Sequence, residues 1–310
     1  MSKIIVAGQC HDIFIQTFEA LGKEIIYQPN IDYNSILTLA PEIEGIVATT
    51  RTAIDKRLID AATQLKWIGR LGSGMDLIDT AYAESKGIAC INSPEGNCNA
   101  VAEHVMGLLL NLKNKIINSY LEIQQGEWNR DKNRGEEIFG TTVGIIGFGN
   151  TGKSLAEKLR GFNVNILAYD KYLTGYGNKQ VTESTLQTIQ KEADIISFHV
   201  PLTDETYYYA NEDFFDGLAK RPTFINACRG KVTDTNALIN ALKKGQVKAA
   251  GLDVLENEFL STYSAEEKAQ LDWLLKQPNV LITPHIAGYS YRATYEMSNI
   301  LAKKIINQFY

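Results

Sequence analysis

The chain has 310 residues, of which 45% are hydrophobic and 22% are charged, and its formal net charge is −5. This length allows two domains, each with its own core, and the negative charge argues against a nucleic-acid partner or an anionic membrane surface. No apolar run approaches the roughly 18 residues that span a bilayer. The N-terminal stretch up to Gly8 is too short for a signal peptide and predicts a first strand, so a cytoplasmic protein is expected.

The four cysteines are too few to cross-link a chain of this length and form no C-x-x-C pair. They are Cys10, Cys90, Cys98 and Cys228. We expect them to be reduced, and the sequence predicts no metal site. Cys228 has no neighbouring base in the sequence, which favours a small buried residue over a nucleophile.

Short β-type runs alternate with helical patterns in the first third of the chain. The runs cover residues 4–7, 25–27, 45–48, 66–70 and 88–92, and helical candidates between them include 11–21 and 55–62. Alternation of this kind predicts a parallel sheet with helices on its faces. A first α/β domain is therefore expected before residue 98.

A breaker cluster at residues 93–97 precedes a helical pattern that continues from Cys98 to Gln125. The pattern predicts one long helix, and we place the crossing between domains at its start. His104 on this apolar helix is interpreted as a structural residue. The polar stretch 126–135 is interpreted as a solvated loop, and the alternative is an arm that packs on a partner subunit with Trp128 as its anchor.

A glycine-rich turn follows the next apolar run. The run 142–146 ends at Gly147 and the sequence becomes helical at Gly152, which predicts strand, tight turn and helix. In this dinucleotide-binding pattern Gly147 allows the turn, Gly149 lets a pyrophosphate approach the backbone, and the helix N-terminus meets the phosphates. The predicted cofactor-binding residues of the turn are Gly147, Gly149, Asn150, Thr151 and Gly152.

An acidic residue ends the following apolar run. Asp170 lies about twenty residues beyond the glycines, where a carboxylate accepts hydrogen bonds from the adenosine ribose hydroxyls. A carboxylate at this position repels a 2′-phosphate. The predicted cofactor is therefore NAD rather than NADP.

The alternation of strands and helices resumes after Asp170. Strands are predicted at 194–200, 222–227, 247–254 and 280–283, and helices at 184–192, 211–218, 235–244, 265–276 and 290–308. This is the pattern of a doubly wound nucleotide-binding domain, in which ligands bind beyond the carboxyl ends of the strands. Four side chains with useful chemistry lie at or just after such ends: His199, Arg229, Glu258 and His285.

Three of these residues suit hydride transfer, the reaction expected of a protein that binds NAD. His285 is the candidate acid or base, and Glu258 is the candidate partner that would fix its ring. Arg229 is a permanent planar cation that suits a carbonyl oxygen or a carboxylate. Each residue alone has an ordinary structural interpretation, but as a set within a nucleotide fold they favour a catalytic one.

Several motifs of the chain occur together in one family. They are RLGSGMDLID at 70–79, NSP at 92–94 with VAEH at 101–104, the glycine turn, HVPLT at 199–203, NACRG at 226–230, GLDV at 251–254 and TPHIAG at 283–288. In this order they resemble the D-isomer-specific 2-hydroxyacid dehydrogenase family, phosphoglycerate dehydrogenase type, from about Gly45 onwards. Such an ordered set is much more specific than any single motif.

The resemblance implies roles for particular residues. Arg229, Glu258 and His285 match the family's catalytic triad, and the backbone amides of Ser73 and Gly74 would hold the substrate carboxylate. Further residues implied to bind the cofactor are His199, Pro201, Cys228 and Asp253, with Asp253 near the nicotinamide amide.

The resemblance also implies the architecture. We expect an α/β protein with two doubly wound parallel-sheet domains, a Rossmann NAD-binding domain at 98–285 and a smaller flavodoxin-like substrate domain at 1–97 and 286–310. The substrate domain is thus discontinuous. A homodimer through the NAD domain and its long helix is implied as well.

Two departures from the family's pattern concern the substrate. Thr49 replaces the arginine that usually binds substrate in the phosphoglycerate enzymes, and Arg51, two residues along on the same strand face, is the candidate substitute. Phe259 replaces the proline that usually follows the catalytic glutamate, which is expected to alter the loop and leave Glu258 in place. No further domain follows Tyr310 in the sequence, so feedback control through such a domain is not expected.

Several functions are compatible with these residues. The leading hypothesis is an enzyme that interconverts a D-2-hydroxy acid and its 2-keto acid, with 3-phosphoglycerate as the best single guess for the substrate. Hydroxypyruvate or glyoxylate reduction and a D-lactate-type activity are alternatives. A binding protein that senses NAD(H) is the hypothesis of another class, and formate oxidation is disfavoured because Glu258 is retained.

Overall fold

A computed structural model of the protein describes residues 3–48 and 52–310. The chain divides into two compact units. The first comprises Met1–Cys98 and Gly288–Tyr310, and the second comprises Asn99–Ala287. Among the described residues, no helix combines the length and apolar character that a bilayer crossing requires.

The first unit is built on a five-stranded parallel sheet, within its described residues. Its strands are β1 (Lys3–Val6), β2 (Glu24–Tyr27), β3 (Ile43–Ala48), β4 (Trp67–Arg70) and β5 (Ala89–Asn92), in the order β2-β1-β3-β4-β5. Its helices are α1 (Asp12–Ala20), α2 (Tyr33–Leu39), α3 (Lys56–Ala61), α4 (Thr80–Ser85) and the C-terminal helix (Tyr291–Phe309). This strand order is the flavodoxin-like one.

The core of the first unit lies on both faces of this sheet because successive strand side chains point to opposite faces. Ile4 packs with Phe14 and Leu301, which belong to α1 and the C-terminal helix, whereas Ile5 packs with Ile36 of α2 on the other face. The C-terminal segment is therefore part of this unit's core.

The second unit is built on a seven-stranded parallel sheet. Its strands are β6 (Thr142–Ile146), β7 (Asn165–Tyr169), β8 (Val181–Glu183), β9 (Ile195–Phe198), β10 (Thr223–Asn226), β11 (Ala249–Leu252) and β12 (Val280–Ile282), in the order β12-β11-β10-β9-β6-β7-β8. Its helices are α5 (Cys98–Asn114), α6 (Ile116–Gln124), α7 (Asn150–Leu159), α8 (Leu186–Glu192), α9 (Glu212–Asp216), α10 (Thr235–Lys244) and α11 (Ala265–Leu275).

The order of the second sheet reverses at β6, which has β7 on one side and β9 on the other. In doubly wound sheets the crevice at such a point, outside the carboxyl ends of the strands, is where ligands bind. The predicted fold class, α/β with two parallel-sheet domains, is confirmed by these two sheets and by the structural neighbours reported below.

Two details differ from the prediction. The helix expected from Cys98 to Gln125 is two helices, because Lys115 adopts φ 52° and ψ 37° in the left-handed region and ends the first of them. The Asn111 side chain accepts a hydrogen bond from the Ile117 amide across this break. The edge strand β8 was not predicted, since only Val181 of its three residues is buried.

The stretch 126–135 forms neither helix nor strand, and Trp128 is 78% exposed.

Candidate active site

Three candidate residues follow three neighbouring strands of the second unit. Arg229 comes after β10, Glu258 after β11 and His285 after β12, and these strands are adjacent and parallel. The carboxyl ends of parallel strands meet at one edge of a sheet. The topology therefore brings the three segments to the same edge.

His285 and Glu258 form a direct pair. The Nδ1 atom of His285 lies 2.8 Å from Oε2 of Glu258, and the two side chains are 35% and 40% exposed. Nδ1 is thereby engaged by the carboxylate, which leaves Nε2 as the nitrogen for another partner. The sequence expectation that Glu258 would orient this ring agrees with the geometry.

The backbone of His285 adopts a conformation that a non-glycine residue rarely takes, with φ at 55°. Its amide donates to the carbonyl oxygens of Asp253, at 2.8 Å, and Thr283, at 3.0 Å. Such a conformation costs on the order of 1–3 kcal/mol and persists only where the surroundings enforce it. These two contacts are part of that enforcement.

Asp253 is the anchor of the loop that carries His285. Its buried carboxylate accepts hydrogen bonds from the Thr283 hydroxyl at 2.6 Å and from the amides of Ile286 at 3.0 Å and Ala287 at 2.8 Å. Burial pushes the pKa of Asp253 up, but hydrogen bonds from His104, Thr283, Ala287 and Ile286 outweigh it, so the pKa is lowered overall. The carboxylate is thus ionised and holds both sides of His285.

His104 of α5 joins this network. Its Nε2 lies 2.9 Å from Oγ1 of Thr283 and 3.4 Å from Oδ1 of Asp253. The structural interpretation of His104 agrees with these contacts, but its partners could not be identified from the sequence because they are about 150 to 180 residues away. Thr283 was likewise not singled out as a site residue.

The turn that carries Arg229 is held by a buried asparagine. The side chain of Asn226 donates to the carbonyl oxygen of Arg229 at 2.9 Å and accepts from the amide of Cys228 at 3.0 Å. Arg229 itself donates through Nη1 to the Cys228 carbonyl at 2.6 Å. A Cβ on Gly230 would lie 1.9 Å from the carbonyl oxygen of Leu255, so only glycine allows this turn to approach the chain that leads to Glu258.

Two other predicted residues, His199 and Cys228, are half-buried near the ends of β9 and β10. Burial raises the pKa of the Cys228 thiol to about 11, so it stays protonated and is no nucleophile at neutral pH. Burial lowers the pKa of His199 to about 4, so its ring is neutral. Nε2 of His199 lies 2.8 Å from the Ser197 hydroxyl, and Nδ1 has no hydrogen-bond partner among the described residues. Pro201, two residues on, accepts from Thr206 through its carbonyl.

The glycine turn has the geometry that a dinucleotide requires. Gly147 adopts φ 93°, and a Cβ on Gly152 would lie 2.2 Å from the Gly147 carbonyl oxygen. A Cβ on Gly149 would meet nothing within 4 Å, so the backbone is open on that side. Asn150 and Thr151 begin α7, and Gly149 is its N-cap residue, so the N-terminus of this helix lies at the turn.

Asp170 lies beside this turn. One carboxylate oxygen accepts from the Phe148 amide at 2.8 Å, and the other accepts from the amides of Tyr172 at 2.9 Å and Leu173 at 3.1 Å. The carboxylate is thereby fixed next to the glycine turn. A half-buried carboxylate at this point fits ribose hydroxyls and disfavours a phosphate.

The predicted substrate-binding residues belong to the first unit. Ser73, which is exposed, and Gly74, which is half-buried, follow β4. Asn92 donates to the Ser73 carbonyl at 2.9 Å, and the hydroxyl of buried Ser93 accepts from the Gly72 amide at 3.2 Å. In the sequence Asn92 and Ser93 stood out only as part of a motif, and their role in holding this loop was not predicted.

The predicted substitution of Arg51 for an arginine at Thr49 lies outside the described residues. Within the described parts of the chain, no group of three or more His, Cys, Asp or Glu side chains could hold a metal ion.

Comparisons with known proteins identify the second unit. Residues 106–287 match the family model of the D-isomer specific 2-hydroxyacid dehydrogenase, NAD binding domain. The D-3-phosphoglycerate dehydrogenase of Archaeoglobus fulgidus is 34% identical over 307 residues, which are 98% of this chain and 57% of that protein. The hydroxypyruvate reductase of Thermotoga maritima is 33% identical over 279 residues, 90% of this chain and 89% of that protein.

A solved structure agrees over nearly the whole length. The D-lactate dehydrogenase from Aquifex aeolicus, complexed with NAD and lactic acid, is 26% identical, with a TM-score of 0.85 over 99% of this chain and 96% of that one. The chain spans little more than half the length of the Archaeoglobus relative. The family predicted from the motifs is confirmed: the chain belongs to the D-isomer specific 2-hydroxyacid dehydrogenases, and its second unit contains their NAD-binding domain.

Proposed function

We propose that the protein is an NAD-dependent oxidoreductase that interconverts a D-2-hydroxy acid and its 2-keto acid. The observation that carries this proposal is the His285–Glu258 pair, 2.8 Å apart at the carboxyl edge of the sheet in an NAD-binding domain. A carboxylate-oriented imidazole at this edge is the group that a hydroxyl oxygen needs for proton transfer.

The cofactor fits the glycine turn. NAD, when bound, supplies the hydride acceptor and NADH the hydride donor. The first turn of α7, with Gly147, Gly149, Asn150, Thr151 and Gly152, would hold the pyrophosphate, and Asp170 would hold the ribose. The residues proposed for the remaining cofactor contacts are His199, Pro201, Cys228 and Asp253.

The proton step is assigned to His285. Because Nδ1 faces Glu258, Nε2 would take the hydroxyl proton during oxidation and return it during reduction. Glu258 would keep the ring oriented and balance the charge that the imidazole gains. Arg229 would polarise the substrate carbonyl with its guanidinium.

The substrate is a small 2-hydroxy or 2-keto acid, and the amides of Ser73 and Gly74 are proposed to bind its carboxylate. The best single guess is 3-phosphoglycerate, with hydroxypyruvate or glyoxylate reduction and a D-lactate-type activity as alternatives. The named relatives include a D-3-phosphoglycerate dehydrogenase and a hydroxypyruvate reductase at similar identity, which supports the substrate class rather than one member of it.

The purified protein is expected to oxidise NADH when it is given a 2-keto acid. The panel is 3-phosphohydroxypyruvate, hydroxypyruvate, glyoxylate and pyruvate, followed by absorbance of NADH. If Arg51 binds a phosphate, Arg51→Ala should penalise the phosphorylated substrate selectively, by about tenfold or more in kcat/KM. An equal loss on all four substrates would reject that role for Arg51.

The same assay tests the function as a whole. Tight NADH binding without turnover of any of the four keto acids would contradict the enzyme proposal and favour the NAD(H)-sensing protein. Turnover of only one unphosphorylated acid would leave the reaction class in place and reject 3-phosphoglycerate as the substrate.

We also propose a homodimer that forms through the second unit. The helix α6 has no buried residue, and the apolar side chains Ile116, Ile117, Tyr120, Leu121 and Ile123 are 39 to 59% exposed. An apolar face of this kind is typical of a protein–protein interface.

The cytoplasmic location likewise stays a prediction, which a fluorescent fusion would test.

Sedimentation velocity is expected to give twice the 34.5 kDa of one chain. Tyr120→Asp should shift the protein towards monomer, since a charge opposes burial of this face. Tyr291→Asp, at a fully exposed tyrosine of the first unit, is the matched control and should stay dimeric. A monomeric wild-type protein at micromolar concentration would contradict the dimer.

A further inference from the structure

The residue before Glu258 shapes the backbone around it. The side-chain oxygen of Asn257 accepts a hydrogen bond from the amide of Phe259 at 3.0 Å. This is an Asx turn, in which a side chain replaces a backbone carbonyl and closes a tight turn. The turn spans Glu258, so Asn257 fixes the direction in which the Glu258 side chain leaves the chain.

Asn257 is itself tied to the structure behind the turn. Its side-chain nitrogen donates to Oγ1 of Thr262 at 3.1 Å and to Oε1 of Glu267 at 3.0 Å. Its backbone carbonyl accepts from the Tyr263 hydroxyl at 2.7 Å. Glu267 also closes the capping box at the start of α11 with Ser264. The turn that carries Glu258 is thus connected to the N-terminus of a helix.

Apolar packing contributes little to this turn. The side chains of Phe259 and Leu260 are 66% and 60% exposed. Burial stabilises in proportion to the area removed from water, so exposed side chains do not fix a backbone. Residues 257–260 are therefore held by polar contacts: those of the Asn257 side chain, and those that the Thr262 amide and hydroxyl donate to the Phe259 carbonyl, each at 2.8 Å.

Phe259 is also the position at which the chain departs from the proline of the family's pattern. A proline has no amide hydrogen and could not donate to Asn257, but its ring would restrict the backbone directly. In this chain the Phe259 amide is used as a donor instead. The hydrogen bond that the Phe259 amide donates to the Asn257 side chain, two residues earlier, thus does locally what a ring would do.

We propose that Asn257 is a positioning residue that holds Glu258 against His285. This inference rests on the proposed function, since it names the residue that keeps Glu258 and His285 in contact as an acid–base pair. Asn257 acts through the backbone of Glu258, whose carboxylate lies 2.8 Å from the imidazole.

The test is a double-mutant cycle on keto-acid reduction. Asn257→Ala is expected to lower kcat by roughly 10- to 100-fold, the effect of a misplaced catalytic group, with little change in NADH affinity. In a Glu258→Gln background the same substitution should have no further effect, because the group that it positions is already gone. Asn257→Ser keeps an acceptor for the Phe259 amide and should recover part of the loss.

A matched control separates positioning from general destabilisation. Asn178 forms a similar turn elsewhere in the second unit, since its side chain accepts from the amides of Gln180 at 2.9 Å and Val181 at 3.2 Å. Asn178→Ala should leave kcat unchanged. If Asn257→Ala has no effect on kcat, or lowers it by the same factor in the wild type and in the Glu258→Gln background, Asn257 has no positioning role.

A second measurement does not depend on turnover. The ¹⁵N signals of the His285 ring report its hydrogen bond to Glu258, and Asn257→Ala should shift them while Asn178→Ala does not. Unchanged His285 signals in Asn257→Ala would overturn the inference even in a protein that reduces no keto acid. Wild-type inactivity with shifted signals would instead count against the proposed function alone.

Discussion

His285→Asn is expected to lower kcat for keto-acid reduction by about 10²- to 10⁴-fold, the usual contribution of a positioned acid or base. NADH binding should be nearly unchanged, because the residues proposed for the pyrophosphate and ribose lie at the glycine turn and Asp170. Asparagine is the suitable replacement because it tolerates the left-handed region, in which His285 has φ 55°. Alanine would combine loss of the imidazole with backbone strain.

The control for this variant is another histidine-to-asparagine change. His11 lies in the first unit, where Nδ1 accepts from the Ile13 amide at 3.1 Å and caps α1. Asparagine caps a helix well, so His11→Asn should preserve stability and activity. If His285→Asn retained more than about a tenth of wild-type kcat, the assignment of the proton step would be rejected.

The parts of the fold that could be predicted from the sequence are those that local chemistry determines. The turn at Gly147 follows from a backbone that needs φ 93°, and the approach of Gly152 to the Gly147 carbonyl follows from the absence of a Cβ. The strand ends followed from short apolar runs. Because the sheets are parallel, those ends located Arg229, Glu258 and His285 at one edge.

The parts that could not be predicted depend on distant contacts. At the break, the Lys115 side chain donates to the Lys132 carbonyl and the Ile117 amide donates to the Asn111 side chain, and neither hydrogen bond changes the apolar period. The contact of His104 with Thr283 joins helix and loop 179 residues apart. Periodicity contains no information on such partners, so the structural interpretation of His104 could not include them.

The residues of the candidate site also fall into those that the sequence predicted and those that depend on distant contacts. The groups proposed to touch the substrate or cofactor were predicted from residue type, from position and from the family resemblance, whereas the residues that hold them in place were not predicted. Asn226, Asn92 and Asn257 each fix a functional loop through side-chain hydrogen bonds to backbone groups. An asparagine beside a turn is common, so its type and position alone do not distinguish these three.

Asp253→Asn is expected to have the second large effect, on stability as well as on activity. Each carboxylate oxygen of Asp253 accepts from a backbone amide, of Ile286 and of Ala287, and one accepts also from the Thr283 hydroxyl. An amide group would turn its NH₂ towards at least one of these donors. We expect the unfolding free energy to fall by roughly 2–4 kcal/mol because buried donors lose their acceptor. The strained backbone at His285 should relax, so kcat should fall too.

Asp234→Asn is the control for this substitution. Asp234 accepts from the Ala237 amide at 3.0 Å at the start of α10, and asparagine serves equally well at that position. Its unfolding free energy and kcat should both match the wild type. For the comparison, both variants are unfolded with urea at pH 7, and their unfolding is monitored by a signal from the second unit.

The pH dependence of the unfolding free energy tests whether the charge of the Asp253 carboxylate, and not only its shape, stabilises the fold. Its pKa in the folded protein lies below the ordinary value of 3.8, so the ionised form stabilises the fold above that value, and this contribution is lost as the pH falls through the lowered pKa. The unfolding free energies of wild type and Asp253→Asn should therefore converge as the solution is acidified below the ordinary value. A constant difference between them down to the lowest pH at which both fold would show that ionisation of Asp253 contributes nothing to holding the His285 loop.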